Sequence, residues 1–381
     1  MSPRTTTDKK VLDVRVHGDD RLGEVLRAAL HKTGQVQRWT HGFHTYPAGL
    51  HPDASRVLLK AFSPRRLIDP FCGGGTALIE ARAAGIETVG RDINPVALLV
   101  AKGRTTTASE EQLTAFRSAA RRLTDIALQA DELPNEDQLD VLASWYAPYV
   151  LCELESIRRG VQHADPSIRP LLELVFSSIL IKTSWRRSDT NPQHVHHDRP
   201  PETTSFLFHK KARELARRVR ALTETVPEGT PAADITHGDA RCLDTAPGDL
   251  VLTSPPYPST YDYVAQQHLR HIWFDRRAES ELELGSRKSW RANSREALAS
   301  WHQDTLQWTQ AAADALEPGG HLVVVIGNGR TNAGDIDAAM PTRGAAEQAG
   351  LTHLATASVK RPDHARGGGL WEHAFAFQKQ S

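Results

Sequence analysis

Asp249-Leu250-Val251-Leu252-Thr253-Ser254-Pro255-Pro256-Tyr257 is the stretch from which the fold is read. Leu250 to Thr253 is a short apolar and β-branched run bounded by proline, which predicts a buried strand. Two consecutive prolines then fix φ and remove two N–H donors, so the chain leaves the sheet as a rigid arm with free carbonyls. At the carboxyl end of a parallel strand, such an arm faces the crevice where open α/β sheets bind ligands. Ser254 offers an oxygen, the proline carbonyls accept from an amino group, and Tyr257 presents a flat ring. These parts suit an aromatic exocyclic amine. A proline-rich turn after any core strand is the plain alternative, and the rest of the chain decides between them.

Upstream, Arg66-Leu67-Ile68-Asp69-Pro70-Phe71-Cys72-Gly73-Gly74-Gly75-Thr76 followed by Ala77 to Ala81 reads as strand, glycine-rich turn and helix. The glycines let the backbone turn sharply and approach a ligand, while the helix start offers unpaired N–H groups. An acid at the entrance of this turn would repel a pyrophosphate but attract a cation. The next strand, Glu87 to Arg91, ends in Asp92, twenty-three positions after Asp69, with Asn94-Pro95 behind it. A carboxylate at the tip of the second strand can accept both hydroxyls of a ribose.

Together, Asp-Pro-Phe-Cys-Gly-Gly-Gly-Thr (69–76) and Ser-Pro-Pro-Tyr (254–257) resemble the signature motifs of amino-methyltransferases that act on nucleic-acid bases. The Ser form is similar to the cytosine-N4 branch. The resemblance implies S-adenosyl-L-methionine (SAM) as cofactor and a Rossmann-like class I methyltransferase fold, α/β with a mostly parallel seven-stranded sheet. It makes Ser254, Pro255, Pro256 and Tyr257 catalytic. It assigns Tyr46, Pro47, Asp69, Pro70, Phe71, Gly73, Gly75, Thr76, Asp92, Asn94, Asp239 and Ala240 to the cofactor. Asp69 would meet the methionine ammonium, Asp92 the ribose, and Asp239 of Gly238-Asp239-Ala240 the adenine amino group. The aromatic loop from His41 to Pro52 would line the methionine end through Phe43, His44, Tyr46 and Pro47; a purely structural loop is its alternative.

Residues 1–40 read as a polar arm with one amphipathic helix near Leu22–His31, and 41–104 as the first half of the cofactor domain. From 105 to 231 the spacing turns helical, with helices expected at Leu113–Ala130, Gln138–Val161, Ile168–Ile181 and Phe206–Thr223. This is a helical insertion, expected to recognise the target; a structural lid is the alternative. Between Ile181 and Arg220 ten Lys and Arg stand against four Asp and Glu, a net of +6. Within it Trp185, Arg186 and Arg187 have the character of base-stacking and phosphate-holding residues. The neighbouring His194, His196 and His197 lack Cys or carboxylate partners at metal spacing, and no metal is expected.

The second half of the domain, 232–381, contains the arm, the added rings of Tyr261 and Tyr263, and a charged loop with Glu283 and Arg287 expected to close over the substrate. A helix, Pro318-Gly319-Gly320 and the apolar run His321–Gly327 follow. Two terminal strands with a basic, glycine-rich loop between them (361–369) then separate this fold from a dehydrogenase, whose last strand is parallel. The net charge of the 381 residues is zero and three scattered cysteines form no disulfide framework. No apolar run is long enough to span a bilayer, so a cytoplasmic protein is expected.

Cytosine-C5 methylation requires an attacking thiolate from a Pro-Cys dipeptide, and the chain has none. The expected activity is methylation of a DNA base amine, cytosine-N4 before adenine-N6. An RNA base is the nearest rival, and a non-catalytic nucleic-acid-binding protein comes next. A hydride-transferring dehydrogenase fails on Asp69 and on the lack of a catalytic pair. A restriction or defence partner is compatible with these motifs but not readable from them.

Overall fold

A computed structural model describes residues 14–44, 46–47, 49–196, 199–276, 279–362 and 369–380. Its first half runs β1 (Val14–Gly18), α1 (Asp20–Leu30), α2 (Pro52–Phe62), β2 (Arg66–Asp69), α3 (Thr76–Ala83), β3 (Glu87–Asp92) and α4 (Pro95–Thr105). Helices α5 (Glu110–Ala127), α6 (Glu136–Leu142), α7 (Pro148–Gln162), α8 (Arg169–Thr183) and α9 (Thr203–Thr223) follow. The sheet resumes with β4 (Asp234–His237) and β5 (Gly248–Thr253), then α10 (Tyr263–Gln266), α11 (His268–Trp273), α12 (Arg287–Ala292) and α13 (Ser294–Asp314). The chain closes with β6 (Leu316–Gly327), β7 (Gly329–Thr331), β8 (Gly334–Ile336), α14 (Ala339–Gln348), β9 (Leu351–Pro362) and β10 (Gly369–Lys379).

Among the described residues the main sheet has the order β1-β9-β10-β6-β5-β2-β3-β4. Its β4, β3, β2, β5 and β6 run parallel, and β10 lies antiparallel between β6 and β9. An antiparallel strand in that place gives the sheet its class: this is the class I methyltransferase fold. The expected seven strands are joined by an eighth. The supposed N-terminal arm supplies β1, which pairs antiparallel with β9, Val14 opposite Val359. Its helix α1 buries Leu26, Ala29 and Leu30 against the sheet.

The strand quoted first sits at the centre. Asp249, its second residue, accepts the backbone N–H groups of Arg65 and Arg66 at 2.9 and 2.8 Å, fixing β5 beside β2. Leu250 and Leu252 then point to the face covered by α1, α2 and α3, while Val251 points to the face covered by α13 and α14. This period-two alternation puts two apolar layers on one sheet. The helices of 110–223 bury a third core, into which α4 contributes Val96, Leu99 and Val100 and α11 contributes Leu269 and Trp273. The insertion is therefore fastened to the sheet's own helices. The single helix expected over Gln138–Val161 is two, because Pro148 begins α7 and cannot continue α6.

Candidate active site

β2 and β3 end side by side, each in a carboxylate. Asp69 Oδ1 accepts from Thr253 Oγ1 at 2.7 Å, which ties it to the end of β5, and from the Phe71 N–H at 3.2 Å. Asp92 accepts from the Gly73 N–H at 2.9 Å and the Asn94 N–H at 2.8 Å. Burial pushes Asp69 up to about 7 and Asp92 up to about 6. Glu283, from the loop after α11, is pushed to about 7 by burial although it accepts the Tyr263 N–H. Among the described residues none of the three carboxylates makes an ion pair. Each stays costly to ionise until an ammonium or hydroxyl donors arrive.

The glycine turn lies between the two acids. Gly73 and Gly75 have φ of +48° and +74°, a region that a side chain would strain. Gly75 caps α3, directing its free N–H groups at the turn. Below it, buried Arg104 donates to the Gly74 carbonyl at 2.8 Å and to the His41 carbonyl at 3.1 Å. His41 in turn meets Glu80 at 2.7 Å. Burial lowers Arg104 to about 10, so this buttress holds a costly charge beneath the turn. Asn94 caps α4 through Oδ1, but its buried Nδ2 has no partner.

These groups line one cleft of about 840 Å3, part of it open to solvent. Tyr46, Pro47, Asp69, Pro70, Phe71, Gly73, Thr76, Asp92, Asn94, Asp239 and Ala240 all face it, as do Ser254 and Pro256. Gly75 and Pro255 adjoin these residues in the chain without lining the cleft themselves. Tyr257 is placed differently from the expectation that its ring lies open to a substrate. Its hydroxyl donates to Glu372 Oε1 on β10 at 2.9 Å, and its ring covers Gly327, where a Cβ would come within 2.4 Å of it. The aromatic wall opposite Asp92 is Tyr263, joined by Val264, Glu283 and Leu284. The loop expected to close over the site therefore forms part of it. Glu283 was not among the expected binding residues, since sequence shows an acid in a charged loop but not its burial.

Several expectations are corrected. Phe43 and His44 do not line this cleft: Phe43 is buried in the helical core and His44 meets Ser177 of α8 at 2.9 Å. Arg186 is buried and donates to the Ser188 and Asp189 carbonyls at 3.0 and 2.8 Å, so it is a loop brace rather than a phosphate ligand. Trp185 is half-buried and packs against His194 and His196, ring centroids 5.4 and 4.7 Å away. Arg187 is exposed and bonds Gln193 at 2.9 Å. Arg287 donates to the Thr260 carbonyl and braces the arm, and Tyr261 packs on Tyr263 at 5.3 Å. Asp239 is gripped by Arg241, which against the effect of burial holds it below the usual carboxylate range. Thr45, Ala48, His197 and most of the loop 361–369 lie outside the described residues, as do residues 1–13 of the arm.

The cleft fits SAM. Its buried carboxylates suit a ligand with a sulfonium and an ammonium, and Asn94 Nδ2 supplies an unused donor. Among the described residues no group of three or more His, Cys, Asp or Glu could hold a metal, and no helix is long and apolar enough to cross a membrane.

No family model matches the chain. A Type II methyltransferase, M.MvaI of Kocuria varians, is 25% identical over 274 residues, which are 64% of this chain and 60% of that protein. The chain thus matches less than two thirds of this relative's length. Among solved structures, TrmN from Thermus thermophilus aligns with a TM-score of 0.34 and 12% identity, covering 87% of this chain and 50% of that one. The rRNA methyltransferase aviRa from Streptomyces viridochromogenes gives a TM-score of 0.34 and 13% identity, covering 88% of each chain. At such values these structures add nothing to the strand order, which carries the fold by itself.

Proposed function

We propose that the chain is a SAM-dependent methyltransferase acting on an exocyclic amino group of a nucleic-acid base, with DNA cytosine-N4 favoured and adenine-N6 next. The observation that carries this reading is the Ser254-Pro255-Pro256 arm leaving β5 at the lip of a cleft in which buried Asp69 awaits an ammonium and buried Asp92 a pair of hydroxyl donors. When bound there, SAM supplies an electrophilic methyl group.

An exocyclic amine is a poor nucleophile because its lone pair is delocalised into the ring. The chain's task is to place that amine in line and draw it towards tetrahedral geometry. Ser254 Oγ and the Pro255 carbonyl act as acceptors for its two N–H groups. Because each proline lacks an N–H and has a fixed φ, the Pro255 carbonyl is held in place, and Ser254 is steadied by its side-chain bond to Tyr257. Glu372 holds the Tyr257 hydroxyl, and Gly327 leaves room for the ring beneath the arm. A base within a duplex has to leave its stack, at a cost of roughly a few kcal/mol.

The Type II methyltransferase relative supports a DNA substrate. An RNA base is the second reading. It is favoured by the long helical insertion, which lies ahead of the Gly-Asp-Ala strand and is fastened to the sheet's own helices. A cytoplasmic location and a restriction or defence partner belong to the first reading. Incubation with labelled SAM, unmethylated genomic DNA and bulk RNA, followed by nucleoside analysis, decides among them. N4-methylcytosine or N6-methyladenine in DNA is the expected product. Label in RNA alone selects the second reading, and no label in either overturns both.

A further inference from the structure

A second cleft of about 960 Å3, open at its mouth, shares Pro47 with the first. Gly42, Phe43 and His44 stand on its near side, α8 and α9 on its far side. Its walls carry four cations, Lys182, Arg187, Lys211 and Arg270, against one carboxylate, Asp189. Arg270 and Asp189 pair with each other, and Lys211 pairs with Glu214 at 2.7 Å while its ammonium lies 5.0 Å from the centre of the Phe43 ring. Two cations are left without a carboxylate, and Lys211, with one ion pair on an ammonium of three donors, has N–H groups to spare. Lys182 has no carboxylate partner among the described residues, and Arg187 bonds the neutral Gln193. Ser188 and Thr190 add hydroxyl groups around them. Lys182 is exposed on the cleft wall; partial desolvation, and then Lys211 close by, lower its ammonium to about 8, with Glu214 acting in the opposite direction.

We propose that this cleft holds a backbone phosphate of the strand whose base is methylated, through Lys182, Lys211 and Arg187. The proposal rests on the nucleic-acid reading above and assigns the contact to a different surface from the Trp185–Arg186 segment. A phosphodiester has several acceptor oxygens and one negative charge. It matches two ammoniums, a guanidinium and hydroxyls better than a single carboxylate does. The shared wall at Pro47 puts that phosphate beside the pocket for the base's reaction partner, so one anchored nucleotide can serve both clefts.

The test uses the full chain with SAM and fluorescence anisotropy of a short single-stranded DNA and its RNA counterpart, over a series of salt concentrations. The double variant Lys182→Gln/Lys211→Gln is expected to bind about tenfold more weakly at low salt. The slope of log affinity against log salt should become shallower by about 1.4, since each phosphate contact on a single strand contributes about 0.7. Arg187→Gln should move in the same direction, and SAM affinity should not change. Lys210→Gln, one position away on α9 but absent from the cleft walls, should retain the wild-type slope. An unchanged slope in the double variant, or an equal effect of Lys210→Gln, overturns the proposal while leaving transfer intact. If wild type binds neither strand, the phosphate and nucleic-acid readings fall together. The strand bound more tightly identifies whether DNA or RNA supplies the phosphate.

Discussion

Acidification should expel the cofactor. In the unliganded cleft Asp69 titrates at about 7 and Asp92 at about 6, both raised by burial. The SAM ammonium favours ionised Asp69 and the ribose hydroxyls donate to ionised Asp92, so protons leave as SAM binds. The sign follows: a raised carboxyl is protonated below its folded pKa, and affinity falls as pH drops through that value. Between about pH 7.5 and 5.5 the two sites together predict a loss of about a hundredfold, close to 3 kcal/mol, with the ligand's α-amino group charged throughout. Isothermal titration at several pH values measures it, and repetition in buffers of different ionisation enthalpy counts the released protons. Asp69→Asn should bind SAM weakly at every pH and flatten the steeper part of the profile. An affinity that stays level or rises on acidification would refute the electrostatic account of the cleft.

Asp69→Asn should also separate stability from binding. Because the folded pKa is raised, the stability contributed by protonated Asp69 is lost as pH rises through about 7. Asn keeps the acceptor for Thr253, so the unliganded variant should melt above wild type at about pH 8 and gain little from SAM. Ser254→Ala should reduce methyl transfer by about 10²–10³ in kcat, the usual cost of one preorganised polar group, while SAM affinity stays within about twofold. Gly327→Ala drives a Cβ into the Tyr257 ring and should depress transfer more than SAM affinity, measured by single-turnover and titration. Glu372→Gln should lower kcat with little change in melting temperature if Glu372 positions Tyr257, and Glu372→Asp should restore part of it.

The strands carrying the acids and the arm were legible because each ends in a local rule: a carboxylate before a glycine turn, an acid before Asn-Pro, a strand before paired prolines. The fold class followed from the resemblance those motifs carry and from the two closing strands, while the strand order came from the structure. β1 was not legible, since Val14–Gly18 becomes a strand only by pairing with Val359 and its neighbours, more than three hundred residues away. Side-chain direction was the other limit. Phe43 and Trp185 look alike as loop aromatics, and only tertiary packing buries the first in the helical core and sets two imidazoles against the second. Glu283 reads as one acid in a charged loop, and its place opposite Asp92 depends on how α10 and the loop fold back over the cleft. The Arg104–His41–Glu80 buttress left no local pattern at all, because its members come from a loop and two separate helices.

The most direct test of the central claim follows the labelled methyl group of SAM into nucleic acid with wild type and with Ser254→Ala, SAM binding being measured on both. The account predicts label on an exocyclic base nitrogen with wild type, and a loss of at least about a hundredfold in the variant at unchanged SAM affinity. Label on a ring carbon, or equal transfer by both proteins, would contradict it.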